Sequence, residues 1–181
     1  MSAAKIANHH KTAERERRLI MTITVSFEGY KGRPETGKAG LLFRDINTGR
    51  SYTVPMVGKY VRFPHDIPEG AVFQLEGNFF WSKSYFRWEI FVESYEETQW
   101  PEVDDAVRFV YDLHVEDIGI PVIKALTSIT GPDVYIYLLL HPDVGDLANQ
   151  VNAIVNFKPF EISGDHIYKL EKKMEEKIKL K

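Results

Sequence analysis

The run from Phe73 to Val92 narrows the possible folds more than any other part of the chain. Phe73, Leu75, Phe79 and Trp81 alternate with Gln74, Glu76, Asn78 and Phe80. After Ser82-Lys83-Ser84 the pattern resumes, with Phe86, Trp88, Ile90 and Val92 set against Tyr85, Arg87, Glu89 and Phe91. A period of two sends successive side chains to opposite faces, so this run is predicted to be a β-hairpin with one apolar face. The upstream sequence reads as further strands. Ile23, Val25 and Phe27 alternate with Thr24, Ser26 and Glu28, Leu41 to Arg44 is a second short strand, and Asn47-Thr48-Gly49 is a hairpin turn leading into Ser51 to Val54. A non-periodic connection, MVGKYVRFPHDIPEG, separates these three strands from the hairpin.

Past Trp100-Pro101 the period changes. Val103, Ala106, Val107 and Val110 fall at helical spacing, Ile118 to Ile129 forms a second apolar-periodic run closed by Gly131-Pro132, and Val144, Leu147, Ala148, Val151, Ile154 and Val155 form a third. Asp133 to Leu140 is ambiguous, because its β-branched and aromatic start favours strand and its end favours helix. The terminal segment sets Ile167, Leu170, Met174 and Ile178 on one helical face. The segment from Phe160 to Leu170 reads either as the wing of a winged helix or as a loop entering the last helix with Ser163 or Asp165 as cap.

Three strands, a long connection and a two-stranded hairpin are the layout of a five-stranded Greek-key barrel. The stretch IPEGAVFQLEGNFFWSKSYFRWEIFVES resembles the fourth and fifth strands of OB-fold single-strand nucleic-acid-binding proteins, and the resemblance covers about residues 22 to 94. The fold class expected is therefore α+β: a five-stranded OB-like β-barrel followed by a small, mainly helical domain, with winged-helix as one option. The expected divisions are a flexible N-terminal segment over 1–20, with Met21 a second candidate start, the barrel over 21–95, a linker over 96–101 and the helical domain over 102–181. An OB-fold followed by such a domain also resembles the plan of the replication protein A middle subunit and of related telomere-capping subunits. That likeness implies a role in a replication or repair assembly, with a protein partner on the helical domain.

Composition removes several classes of function. The 181 residues carry a formal net charge of -3, are 44% hydrophobic and include no cysteine, which excludes disulfide scaffolds, cysteine-based zinc sites and thiol catalysis. No apolar run approaches the length of a membrane helix, so no membrane partner is expected. The start MSAAKIANHHKTAERERRLI lacks the apolar core of a secretory signal, and the expected location is cytoplasmic. The six histidines lack metal-ligand spacing, and no nucleophile with a base or carboxylate cluster is visible. The expectation is a non-enzymatic protein with no cofactor and no metal.

One motif argues otherwise at first sight. GRPETGKA, Gly32 to Ala39, matches the phosphate-cradling pattern G-x-x-x-x-G-K-[S/T] except at its last position. Ala39 has no hydroxyl for Mg²⁺, and the following residues carry strand spacing where the motif demands a helix. The glycines and bases are better read as a hairpin loop that meets the phosphates of a polymer.

Charge divides along the chain: Met21 to His65 is basic and Glu93 to Asp117 strongly acidic, with Asp104 and Asp105 suited to a helix N-terminus. In an OB-fold, single strands lie across strands two and three between the first hairpin loop and the loop joining strands four and five. The residues expected to bind are Lys31, Arg33 and Lys38 on the first loop, Phe80, Trp81, Lys83 and Tyr85 on the last, and Arg44, Arg50 and Arg87 on the barrel face. Single-stranded nucleic acid, DNA before RNA, is the expected partner. Phe73, Phe79, Phe86 and Trp88 are assigned to the core.

Overall fold

In the computed structural model, residues 20–32, 40–55, 63–64, 66–155 and 161–180 are described. Five strands come first: β1 (Met21–Lys31), β2 (Gly40–Asp45), β3 (Ser51–Pro55), β4 (Val72–Ser82) and β5 (Arg87–Thr98). Five helices follow: α1 (Asp105–Tyr111), α2 (Ile120–Thr130), α3 (Val134–Leu140), α4 (Val144–Val155) and α5 (Gly164–Lys179). The architecture is α+β, as expected.

The strands form one sheet in the order β1-β2-β3-β5-β4, and β4 returns to pair with β1 so that the sheet closes on itself. All contacts are antiparallel except β3 with β5, which meet in parallel at Thr53 and Glu89. Closure turns the apolar face of each strand inward, where Val25, Phe27, Leu41, Phe43, Phe73, Leu75 and Ile90 form the core. Burying each of the three phenylalanines contributes about 1.5–3 kcal/mol relative to exposure. Residues 40–45, where the phosphate-cradling motif demands a helix, are a strand.

Local chemistry sets the helices. The Asp104 carboxylate accepts a hydrogen bond from the Val107 N–H at 2.8 Å, capping α1. Pro121 sits in the first turn of α2, and Gly131 ends that helix. The ambiguous segment after Asp133 is helical because Val134 and Leu138, four residues apart, both enter the helical core. The described residues of 160–170 form a lead-in and the start of α5, where the Ser163 N–H donates to His166 Nδ1 at 2.9 Å.

The two units share a buried seam on the outer side of β1 and β2. Arg44 is 2% exposed. Its guanidinium donates to the carbonyls of Tyr111 at 2.5 Å, Val115 at 2.9 Å and Ile118 at 3.0 Å, and lies 4.2 Å from the centre of the Tyr111 ring. A cation there meets the negative end of α1. The Tyr111 hydroxyl is hydrogen-bonded to Ser26 Oγ at 2.8 Å, and Glu28 pairs with His114. Ile46, directly after β2, belongs to the helical core, and its carbonyl accepts from Ile120 N–H at 2.7 Å. The turn at Gly49 lies backbone to backbone against residues 118–119. A methyl group on Gly119 would come within 2.0 Å of the Asn47 carbonyl oxygen.

The strand β5 extends to Thr98, opposite Val72, so the first three residues of the expected linker are part of the sheet. Trp100 then anchors the crossing by donating its indole N–H to the Gly70 carbonyl at 2.7 Å. The Arg108 guanidinium lies 3.5 Å from the Trp100 ring centre.

Candidate nucleic-acid interface

The β4–β5 hairpin outruns the closed sheet. On one side β4 pairs with β1 only as far as Met21 opposite Gly77, and β5 meets β3 only at Glu89. Among the described residues, the backbone from Trp81 to Trp88 has no strand partner outside its own hairpin. Register divides its side chains between two faces. Phe79 opposite Ile90 and Trp81 opposite Trp88 continue the inner face of the sheet, whereas Phe80 opposite Glu89 and Ser82 opposite Arg87 lie on the outer face.

On the inner side, Trp81 and Trp88 meet edge to face with ring centres 5.6 Å apart, and remain 46% and 41% exposed. The assignment of Trp88 to the core is therefore corrected. Its face is right, but among the described residues no strand beyond its own hairpin pairs at that height. Phe86 is corrected as well: it belongs to the turn, with φ of 49°, and is 80% exposed. Phe79 does pack against the core, edge to face with Tyr52.

On the outer side, the half-buried Phe80 stacks on Phe91 at 4.5 Å. Arg87 is held from two directions. Its Nε donates to Glu89 Oε1 at 2.9 Å, and the guanidinium lies 4.7 Å from the centre of the Tyr85 ring. Tyr85 is 50% exposed, and its N–H donates to Ser82 Oγ at 3.3 Å, closing the turn. Lys83 is exposed in that turn. A methyl group on Gly40 would lie 3.7 Å from Arg87 Nη2, so the glycine-rich segment re-enters the sheet beside this cluster.

The remaining expected bases fare differently. Lys31 is exposed at the end of β1, and Arg33 and Lys38 lie outside the described residues. Arg44 is corrected from a surface contact to a buried one, because its donors are committed to four carbonyls, those of Gly49, Tyr111, Val115 and Ile118, and no phosphate can reach them. Arg50 pairs with Asp117 at 2.9 Å, on the seam as well. Two acids of the acidic stretch have an explanation in the same place, Glu116 accepting from Ser51 and Asp117 from Arg50, while Asp112 pairs with Arg108 at the end of α1.

The apolar face of the terminal helix is occupied at home. Ile167, Leu170 and Met174 are buried in the helical core, and only Ile178 is exposed. A cleft of about 240 Å³ beside α5 is lined by Lys169, Lys172 and Lys173 against Glu116 and Glu176, with His114 and Tyr168 beside them. Among the described residues there is no group of three or more His, Asp or Glu that could hold a metal. None of the described helices is long and apolar enough to cross a membrane.

No protein-family model and no curated protein matches the chain.

Proposed function

We propose that the protein binds single-stranded nucleic acid, DNA before RNA, on the end of the β4–β5 hairpin, with a non-enzymatic role. The observation that carries this is the conjunction of three exposed rings, Trp81, Trp88 and Tyr85, in addition to Phe86 in the turn, with Lys83 and Arg87 on eight residues, WSKSYFRW, that contain no acid. Bases present flat apolar faces and phosphates present negative charge, and this tip offers a counterpart to each. Stacking on one ring is worth about 1–3 kcal/mol per base, so two or three rings suffice for specific retention of a strand. Arg87, held flat against Tyr85, acts as a further stacking plane as well as a cation. Lys83 and Lys31 contribute phosphate contacts.

The strand order, with its parallel β3–β5 contact, supports an OB-like reading of the sheet. In that architecture the loop between β1 and β2 and the loop between β4 and β5 flank the bound strand. The position of Gly40 beside Arg87 agrees with such an arrangement, and Arg33 and Lys38 enter the proposal as phosphate contacts on their sequence alone. A second reading is favoured by the apolar character of Trp81 and Trp88: the same rings would contact protein in a replication or repair assembly.

Titration of intrinsic tryptophan fluorescence with single-stranded DNA and RNA, at low and moderate salt, separates the two. Quenching that weakens steeply as salt rises is expected, because phosphate contacts release counterions. Absence of any response at low salt, together with no retardation in a gel, would leave the protein-contact reading standing.

A further inference from the structure

Resting on the nucleic-acid reading above, we infer that the hairpin recognises the junction where a duplex opens into single strands, with Phe86 as the wedge at its apex.

Phe86 is the one ring of the tip that single-strand stacking leaves unexplained. It is 80% exposed, the most exposed aromatic side chain of the hairpin, and its backbone is held at φ 49°, a conformation bulky residues rarely adopt. Glycine occupies that region without penalty, so the turn itself has no need of a phenyl group. A large apolar ring is thus kept in water, at a strained position, in the turn of the β4–β5 hairpin. Apolar side chains presented in this way enter between base steps and part them.

What distinguishes a junction from a continuous strand is that two differently oriented surfaces must be met at once. The hairpin carries both. Trp81 and Trp88 lie on its inner face, while Arg87, with its guanidinium over Tyr85, lies on the outer face. Phe86 sits between them. With its ring against the last base pair, the parted strands pass along opposite faces, each finding an aromatic surface. Lys83 supplies charge to the phosphates, and Arg87, whose Nε is held by Glu89, offers them its remaining N–H groups. One ring offsets the opening of one base step and not of a long run, so the preference is for a duplex already forked, with no ability to melt an intact one.

The test uses the full chain and three labelled probes of matched length: a single-stranded oligodeoxynucleotide, a blunt duplex and a forked duplex with single-stranded tails. A 2-aminopurine is placed at the last base pair of the fork. The fork is expected to bind about tenfold more tightly than the single strand, the worth of one stacked ring, with an increase in 2-aminopurine emission as the base unstacks. Phe86→Gly, which suits the backbone, is expected to bring fork affinity down to that of the single strand while leaving single-strand affinity and the circular dichroism unchanged. Equal affinity of the native protein for fork and single strand would overturn the inference and leave single-strand binding intact. An equal loss on both probes in Phe86→Gly would make Phe86 an ordinary stacking platform and overturn the wedge. Binding to none of the probes would remove the underlying reading with it.

Discussion

Trp81 and Trp88 face each other across the β4–β5 hairpin on the side of the sheet that carries the buried core, yet both are open to solvent. Their strand parity is that of Ile90, which is fully buried two residues further along. The difference lies in where the sheet closes. Two indoles left outside that closure have little packing to lose. Trp81→Ala and Trp88→Ala are each expected to weaken oligonucleotide binding by roughly 5- to 150-fold, the equivalent of one lost stack, with a thermal midpoint within a few degrees of the native protein. A large fall in the midpoint would mean that the rings serve the fold.

Arg44 predicts the opposite behaviour. Its guanidinium donates to three carbonyls at the joint between the sheet and the helices, and Arg44→Ala takes a charge-assisted bond from each, leaving the Tyr111 and Val115 carbonyls only the N–H groups of His114 and Ile118. The expected loss is on the order of 3 kcal/mol in urea unfolding, since buried groups lose both a charge-assisted bond and their solvation. Arg44→Lys recovers only part of it, because an ammonium cannot present the same fork. Stability unchanged in the alanine variant would contradict the role assigned to this side chain.

The Tyr111 hydroxyl, at the same joint, is pushed up from 10.0 to about 12, chiefly by burial. An acid whose pKa is higher in the folded state contributes stability that is complete below its unfolded value and is lost as pH rises through the folded one. Unfolding free energy is therefore expected to fall between about pH 10 and pH 12. Tyr111→Phe costs on the order of 1 kcal/mol at neutral pH, through the lost bond to Ser26, but removes that alkaline slope. Urea titrations at several alkaline pH values give both quantities, and an unaltered slope in the phenylalanine variant would assign it to another group.

Asp45 offers a subtler separation of charge from hydrogen bonding. Burial raises its pKa, against the lowering effect of the Asn47 and Thr48 N–H groups that donate to its carboxylate. The raised value means that its charged form disfavours folding as pH rises above 3.8. Asp45→Asn keeps an acceptor and loses the charge, so its melting temperature at neutral pH should equal or exceed that of the native protein. Asp45→Ala leaves both N–H groups unpaired and should lose about 1–2 kcal/mol. The reverse ranking would show that the charge itself is needed, through Arg50.

Much of the fold was legible in the chain because period and face are local properties. The alternation around Phe73 and Leu75 placed these side chains inside, the shift at Trp100-Pro101 marked the change to helices, and the choice for 160–170 of a capped helix start was among the readings its Ser163 and Asp165 allowed. Alternation reports which face a side chain takes but not how far the opposite wall extends. For that reason Trp88 was assigned to the core when it lies beyond it. Phe86 continued the alternation in sequence but fell in a four-residue turn, whose length is set by the pairing of Ser82 with Arg87. Arg44 illustrates the other limit. A charged residue on the polar face of a strand reads as solvent-facing, and its burial depends on Tyr111, Val115 and Ile118, some seventy positions away. The one clue was compositional: Glu116 and Asp117 have no base close by in sequence, and the two complete the seam with Ser51 and Arg50.

The central claim is that the hairpin end grips a single strand by its rings. It is tested most directly by fluorescence anisotropy of a labelled single-stranded oligodeoxynucleotide, at low salt, with the native protein and with Trp81→Ala/Trp88→Ala. Saturable, salt-sensitive binding that the double variant loses by at least tenfold, while its unfolding curve stays in place, is the predicted result. Equal binding by the two proteins, or none by the native one, would contradict it.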